Sequence, residues 1–572
     1  NGHNTAIGSN SMENTTTGEF NTAVGSQTVS AGVMTGDYNV MMGYQAGNTM
    51  TSGGYNTLMG AYTGDALTTG AHNVAMGYAA LSTEDTRGYN VAIGAYALQD
   101  LNAAADAYNI AIGYSAGKEI TTGTYNTILG SQAMSTGVTT GDYNVAIGTR
   151  AGDDMTSGAY NNVIGSNAGM NLTTGSYNVA LGYDALKTED TGGRSIAIGT
   201  GTLQAQNNDD NNYNIAIGHN TANALTTGTN NIFIGGLAAD TITTGDSNVA
   251  IGKNAMGSAD GSESNNVAIG FGTLATLNSD ASNYDVAIGY NAGTAITTGV
   301  SNILIGGFAG DALTTGGSNV AIGHQALSAE DAHGTNTAIG YQSLMAQDAG
   351  ADAYNTAVGY YSGKSITTGV RNVIVGGSAG DALTTGASNT AIGHEALGAE
   401  DTGSKNTAVG AYALQDLNYD GDGHNTAIGY VAGAQITTAR YNTILGSLAG
   451  DALTTGAENV AIGYGALGQE DAHGKNVAVG MEALTAQNAG SDAANTALGY
   501  NAGKAVTSGI RNTIVGSWAG DALTTGQYNV AIGANALSTE DAHGKNVAVG
   551  SNALEVLNAG ADAYNVAVGH QA

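Results

Sequence analysis

The chain reads as all-β: a parallel β-solenoid, or β-roll, of about 33 rungs with 17 to 19 residues each. Three observations predict it. The pentad Asn-Val-Ala-Ile-Gly, as at Asn319 to Gly323 and Asn248 to Gly252, recurs with small changes in 33 copies from Asn4 to Asn565. Successive copies begin 17, 18 or 19 residues apart, and a fixed short period along a whole chain is the signature of rungs stacked one on the next. The 572 residues include no proline, whereas average usage would give about 29. Proline lacks the ladder donor and is tolerated mainly at sheet edges, so its absence suits a stack in which almost every rung is paired above and below.

Each pentad position carries its own demand. Glycine holds the fifth place in every copy, as expected where the backbone takes positive φ or a neighbouring backbone leaves no room for a Cβ. Asparagine holds the first place in all but two copies, where Ser195 and Asp285 stand in. Its amide can hydrogen-bond along the stack to the rungs above and below. Side chains alternate along a strand, so positions two and four share one side and position three takes the other. Position four is always Ile, Val, Leu or Met, which predicts that its side is the core. Position three is usually Ala but becomes large and apolar at Leu58, Ile128, Val163, Phe233, Leu304, Ile374, Ile444 and Ile514. A strand that is apolar on both faces is buried on both, yet a rung of 17 residues folds back only once. The expectation is therefore a homotrimer, with Leu58, Ile128, Phe233, Leu304, Ile374, Ile444 and Ile514 in the seam between chains.

After the pentad come a polar or Tyr position, an Ala-Gly or Ala-Leu step, and a Thr-Thr-Gly or Glu-Asp turn, as in Tyr290 to Gly299 and Tyr78 to Gly88. The small residues predict a close-packed return strand. From Asp285 onward the steps run 17, 17, 17 and 19, a 70-residue unit of four rungs. Earlier 19-residue rungs enter Asn109 and Asn214, an interval of 105, so two further rungs are inserted there. No helical period and no linker interrupts the pattern, which predicts one continuous repeat array over residues 1–572. The pattern runs to both ends without a cap. Solenoids need capping ends, so the chain reads as a segment of a longer fibrous protein.

Charge narrows the partners. The net charge of −32 argues against nucleic acid, since neutralising phosphates needs clustered Lys and Arg. The same acidity keeps a long repetitive surface soluble. There is no cysteine, so disulfides are not the stabiliser, and no apolar run is long enough to span a membrane as a helix.

At the pentads the chain resembles the left-handed parallel β-roll of trimeric autotransporter adhesin heads, where Asn-Ser-Val-Ala-Ile-Gly-like repeats form two-strand coils and three chains pack together. It is also similar to the Asn-Thr-Ala-Ile-Gly-Tyr-Asn-Ala repeats of phage tail-fibre and bacterial surface-fibre proteins. The resemblance covers the whole chain and implies a left-handed, three-chained, extracellular fibre on a cell surface or virion. Its rungs are longer than those usual in adhesin heads, and it has neither a coiled-coil stalk nor a membrane anchor.

Three constellations could carry chemistry. Glu-Asp pairs recur at Glu84, Glu189, Glu330, Glu400, Glu470 and Glu540, three of them followed by His333, His473 and His543. Paired carboxylates can act as acid and base or hold a metal, but adjacent side chains diverge, and the pattern reads as a solvated turn. Asp416, Asp420 and Asp422 stand among glycines in a 19-residue rung, a composition that suits calcium and equally suits a turn. The expectation is no cofactor, with calcium as the alternative. Tyrosines before the pentad, including Tyr284, Tyr354 and Tyr564, form a column that either binds glycans or stacks across rungs. No Ser-His-Asp, P-loop or dinucleotide fingerprint appears. The leading reading is a structural fibre, the shaft or head of an adhesin or tail fibre that projects a binding tip. Direct glycan binding by the repeats is the alternative. A polysaccharide-degrading β-helix is a third reading and lacks the non-repeating loops such a cleft needs.

Overall fold

The computed structural model describes residues 2–259, 261–279 and 281–572. The chain divides into two compact units, Asn1–Asp285 and Val286–Ala572, and the division falls where the four-rung order becomes strict. Unit 1 stacks strands from Thr5–Ile7 to Val267–Ile269, and unit 2 from Val286–Ile288 to Val566–Val568. Every strand has three residues and covers pentad positions two to four. Within each unit, successive strands pair in parallel with the pentads in register, as in Leu304↔Ala321 and Ala321↔Ala338. Both units are parallel β-solenoids with turns of about 17 residues.

The buried asparagine closes most rungs. Asn372 donates its backbone N–H to Oδ1 of Asn355 at 2.8 Å, and its own Oδ1 accepts the N–H of Asn389 at 2.9 Å. Its Nδ2 crosses the coil to the carbonyl of Gly386 at 2.9 Å, in the Thr-Thr-Gly turn. One residue, through its backbone N–H and its side chain, thus ties the strand to the rung before, the rung after and the opposite wall. The fifth-position glycine meets both conditions expected of it. Gly323 has φ 138°, and a Cβ there would lie 2.3 Å from the carbonyl oxygen of Gly340.

The return path differs from expectation: it is a run of tight turns with no strand. Left-handed residues recur six, eight and sixteen positions after the first pentad residue, as at Gln325, Leu327 and Thr335. Such residues bend the chain too sharply to leave a second sheet. The interior is correspondingly narrow, and bulk on one wall demands absence on the other. Leu304 faces Gly310, where a Cβ would come within 2.8 Å of the leucine; one rung on, Ala321 accompanies Leu327, and both are fully buried.

That narrowness reverses the assigned faces. Leu58, Ile128, Val163, Phe233, Leu304, Ile374, Ile444 and Ile514 are all 0% exposed within the single chain. They point into the coil and are not available to a seam, whereas positions two and four point outward. Bulky residues at position four indicated a core by the usual rule, but in so thin a coil the inward position is the one restricted to small or specially accommodated side chains.

Removing the cross-coil tether is expected to be costly. Asn372→Leu leaves the Gly386 carbonyl and the Asn389 N–H without their partner, a loss of about 2–5 kcal/mol for buried groups. The exposed change Thr385→Ala serves as control, and thermal melting should show a clear drop for the first and little for the second.

Candidate functional site

The outward strand face is the largest unassigned surface. Positions two and four form two parallel rows of Val, Ile, Thr, Leu and Met, with a single Asn at Asn162 and no charged residue in any rung. Ile303, Val373, Leu445 and Leu498 are 40–49% exposed. A strip about 10 Å wide at about 4.8 Å per rung offers about 50 Å² per rung. The strands of unit 2 alone then offer about 800 Å², the share one partner contributes to a standard interface. Contiguous apolar patches beyond a few hundred Å² mark contact surfaces.

Aromatic side chains line the flanks. In unit 1 a column runs Phe20, Tyr38, Tyr55, His72, Tyr89, Tyr108, Tyr125, Tyr143, Tyr160 and Tyr177, with ring centroids 4.8–5.1 Å apart and planes within 1–16°. The guanidinium of Arg194 then lies over the rings of both Tyr177 and Tyr213. Each ring face is covered by its neighbour, which leaves only edges and hydroxyls to solvent. This favours cross-rung stacking over sugar binding along the column. Tyr284 and Tyr564 are more open than any tyrosine of that column, at 62% and 66% exposure, while Tyr354, at 56%, is no more open than Tyr55; the Tyr564 hydroxyl accepts from Lys545 Nζ at 2.9 Å.

The three aspartates of the 19-residue rung do not converge. Asp422 pairs with Lys405 at 2.6 Å, and this hydrogen-bonded cation holds its carboxyl below the usual range. Asp420 accepts from Thr402 Oγ1 at 2.9 Å. Asp416 borders a separate depression with Asp381, Glu395 and Gln415.

The Glu-Asp turns are not solvated as expected, because the glutamates turn inward. Glu84, Glu189, Glu330, Glu400, Glu470 and Glu540 are all 0% exposed. Glu330 stands eleven residues after Asn319, the place that Leu313 holds after Asn302. Superposing the rungs would have shown from sequence alone that these glutamates occupy a core register. Each folds back onto its own turn. Glu400 accepts from the N–H of Gly403 at 2.7 Å, and Glu189 also takes the amides of Gln206 and Asn212, both at 2.9 Å. Burial pushes Glu330, Glu400 and Glu470 up to about 7, against backbone hydrogen bonds that pull them down.

Comparison with protein-family models gives no match, and comparison with curated proteins gives none either. The architecture is consistent with β-roll repeat proteins. No helix among the described residues is long and apolar enough to cross a membrane.

Two outcomes follow. Ile374→Lys buries a charge in the coil and should cost several kcal/mol, whereas Val373→Lys, on the outward face, should leave the single-chain fold intact; circular dichroism melts compare them. For Glu400, a folded pKa near 7 lies above the ordinary 4.5. The folded chain then holds that proton more tightly, so its stabilising contribution is complete below about pH 4.5 and is lost as pH rises to about 7. Glu400→Gln should therefore show a smaller fall in melting temperature between about pH 5 and pH 7.5 than the parent chain.

Proposed function

We propose that the chain is a structural fibre segment, the shaft or head of an extracellular adhesin or tail fibre, which holds a binding tip away from a cell surface or virion. The single observation that carries this reading is the uniformity of the rungs. Within each unit, strands touch only their neighbours in sequence, and the outward face repeats one chemistry from rung to rung. Such a chain supplies length and stiffness. The fibre is a homotrimer in which the outward rows of positions two and four face the common axis. This keeps the self-association expected from the two-faced apolar strand and moves it to the opposite side of that strand. Native mass spectrometry should give three chains, with Val373→Lys, Thr390→Lys and Thr407→Lys together shifting the mass toward one.

The spacer role is tested by deletion. Repeat proteins behave nearly as sums of neighbour interactions, so removing residues 355–424, one whole four-rung unit, should leave a folded fibre shortened by about 19 Å at the spacing of stacked strands. Removing the same unit plus nine residues should break register and turn inward side chains outward. Attachment by the full-length protein should survive the first deletion. If attachment is lost while the fibre stays folded, the repeats themselves bind, and glycan binding by the open tyrosines Tyr284, Tyr354 and Tyr564 becomes the better reading.

A further inference from the structure

The glutamate turns fall into two kinds. Where Thr follows the Glu-Asp pair and no His stands in the turn, both carboxylate oxygens find donors. Glu189 takes Gly192 N–H, Gln206 and Asn212, and Glu400 takes the N–H groups of Gly403 and Tyr419. In two of the three turns where His stands three residues on, the carboxylate is left short. Glu330 Oε1 accepts the N–H of His333 at 3.1 Å, while its Oε2 is buried without a partner, and Glu470 repeats this with His473 at 3.2 Å. The Nδ1 atoms of His333 and His473 are also buried without hydrogen bonds.

Each orphaned imidazole nitrogen lies beside the carboxylate oxygen that already accepts the backbone N–H. His333 Nδ1 lies 3.7 Å from Glu330 Oε1, and His473 Nδ1 lies 3.7 Å from Glu470 Oε1. That separation is too long for a hydrogen bond and close to the edge of about 3.4 Å of a tetrahedron with metal bonds of about 2.1 Å. A carboxylate oxygen of Asp331 or Asp471 completes each set, the three donor atoms falling within 4.8 Å of one another. The same three residue types meet at Glu540, Asp541 and His543, where the imidazole and Glu540 Oε1 share a 3.3 Å hydrogen bond and Oε2 accepts the N–H of Ala559 at 3.2 Å.

We propose that these three turns are divalent-metal sites, each holding a cation through one imidazole nitrogen and two carboxylates, with water filling the shell. One nitrogen donor with two oxygens suits a borderline cation such as Zn²⁺ better than Mg²⁺ or Ca²⁺, which prefer all-oxygen shells. The buried glutamate supplies the fixed ligand, and the exposed aspartate with the partly exposed histidine leaves a path from solvent. A bound cation gives the inward carboxylate the counter-charge that its polypeptide surroundings lack. In the fibre each site staples one turn.

Equilibrium dialysis of the whole chain with ZnCl₂ at about pH 7.5, with MgCl₂ as control, tests this. The expected result is three zinc ions per chain and a melting temperature that rises with zinc and not with magnesium. The triple variant His333→Gln, His473→Gln, His543→Gln should lose those ions, with affinity reduced at least ten-fold, and should show no zinc-dependent rise. The exposed set Asp331→Asn, Asp471→Asn, Asp541→Asn, which leaves the core untouched, should weaken zinc in the same direction. Equal zinc binding by parent and both variants, or no zinc bound at millimolar concentration, overturns the proposal.

Discussion

The buried asparagine is the constraint on which the rest of each rung depends. Its side chain has one oxygen acceptor and two N–H donors to satisfy away from water, and an unpaired buried amide is expensive. At Asn319 three partners meet that need: the backbone N–H of Asn336 one rung on, Oδ1 of Asn302 and the His333 carbonyl across the coil. The carbonyl can be reached only if the chain returns after a set number of residues, so the hydrogen bond dictates rung length. The in-register stack follows, because each Oδ1 must meet the N–H of the next asparagine. Where Ser195 interrupts the column, Gln206 reaches in, donating to the Ser195 hydroxyl at 2.9 Å and accepting from Asn214 at 2.9 Å. The column is repaired by a side chain from another part of the rung.

The second constraint is the width of the coil, which limits what each rung of the unit can hold. A large third-position residue needs glycine opposite; an alanine there admits leucine. Rungs with Leu304 or Ile374 therefore alternate with others built on Ala321 or Ala391 and Leu327 or Leu397. The position that holds Leu313 and Leu383 holds Glu330 and Glu400 one rung later. The polar rungs are the cost of packing asymmetric residues into a thin interior, and they place titratable groups where burial perturbs them.

The outer surface divides the chain differently. Unit 1 carries a nearly continuous aromatic column beside its strands, which stiffens the stack through ring-to-ring contact. In unit 2 the same register mixes Ser301, Ser318, Arg371, Ser388 and Lys405 with Tyr354, Tyr441, Tyr528 and Tyr564, and ion pairs such as Lys475 with Asp492 and Lys545 with Asp562 bridge successive rungs. These exposed pairs stabilise little by themselves. Rungs of one design thus present two different flanks around a common apolar face.

Much of this was legible in the residues. The pentad's period announced the solenoid, since nothing but stacking repays so strict a repeat. Glycine at position five and asparagine at position one declared a close backbone approach and an amide column, because each is the residue type that its geometry permits. The orientation of the strand was not legible: alternation shows that Val373 and Ile374 point to opposite sides but not which side is inside. Only the turn geometry, with left-handed residues folding the return path tightly against the strand, made the interior too narrow for two bulky rows and sent positions two and four outward. The inward glutamates were hidden for the same reason. Their charge argued for solvent, and only the folded rung, in which Glu330 takes the place of Leu313 and caps its own turn, decided that hydrogen bonding would hold them inside.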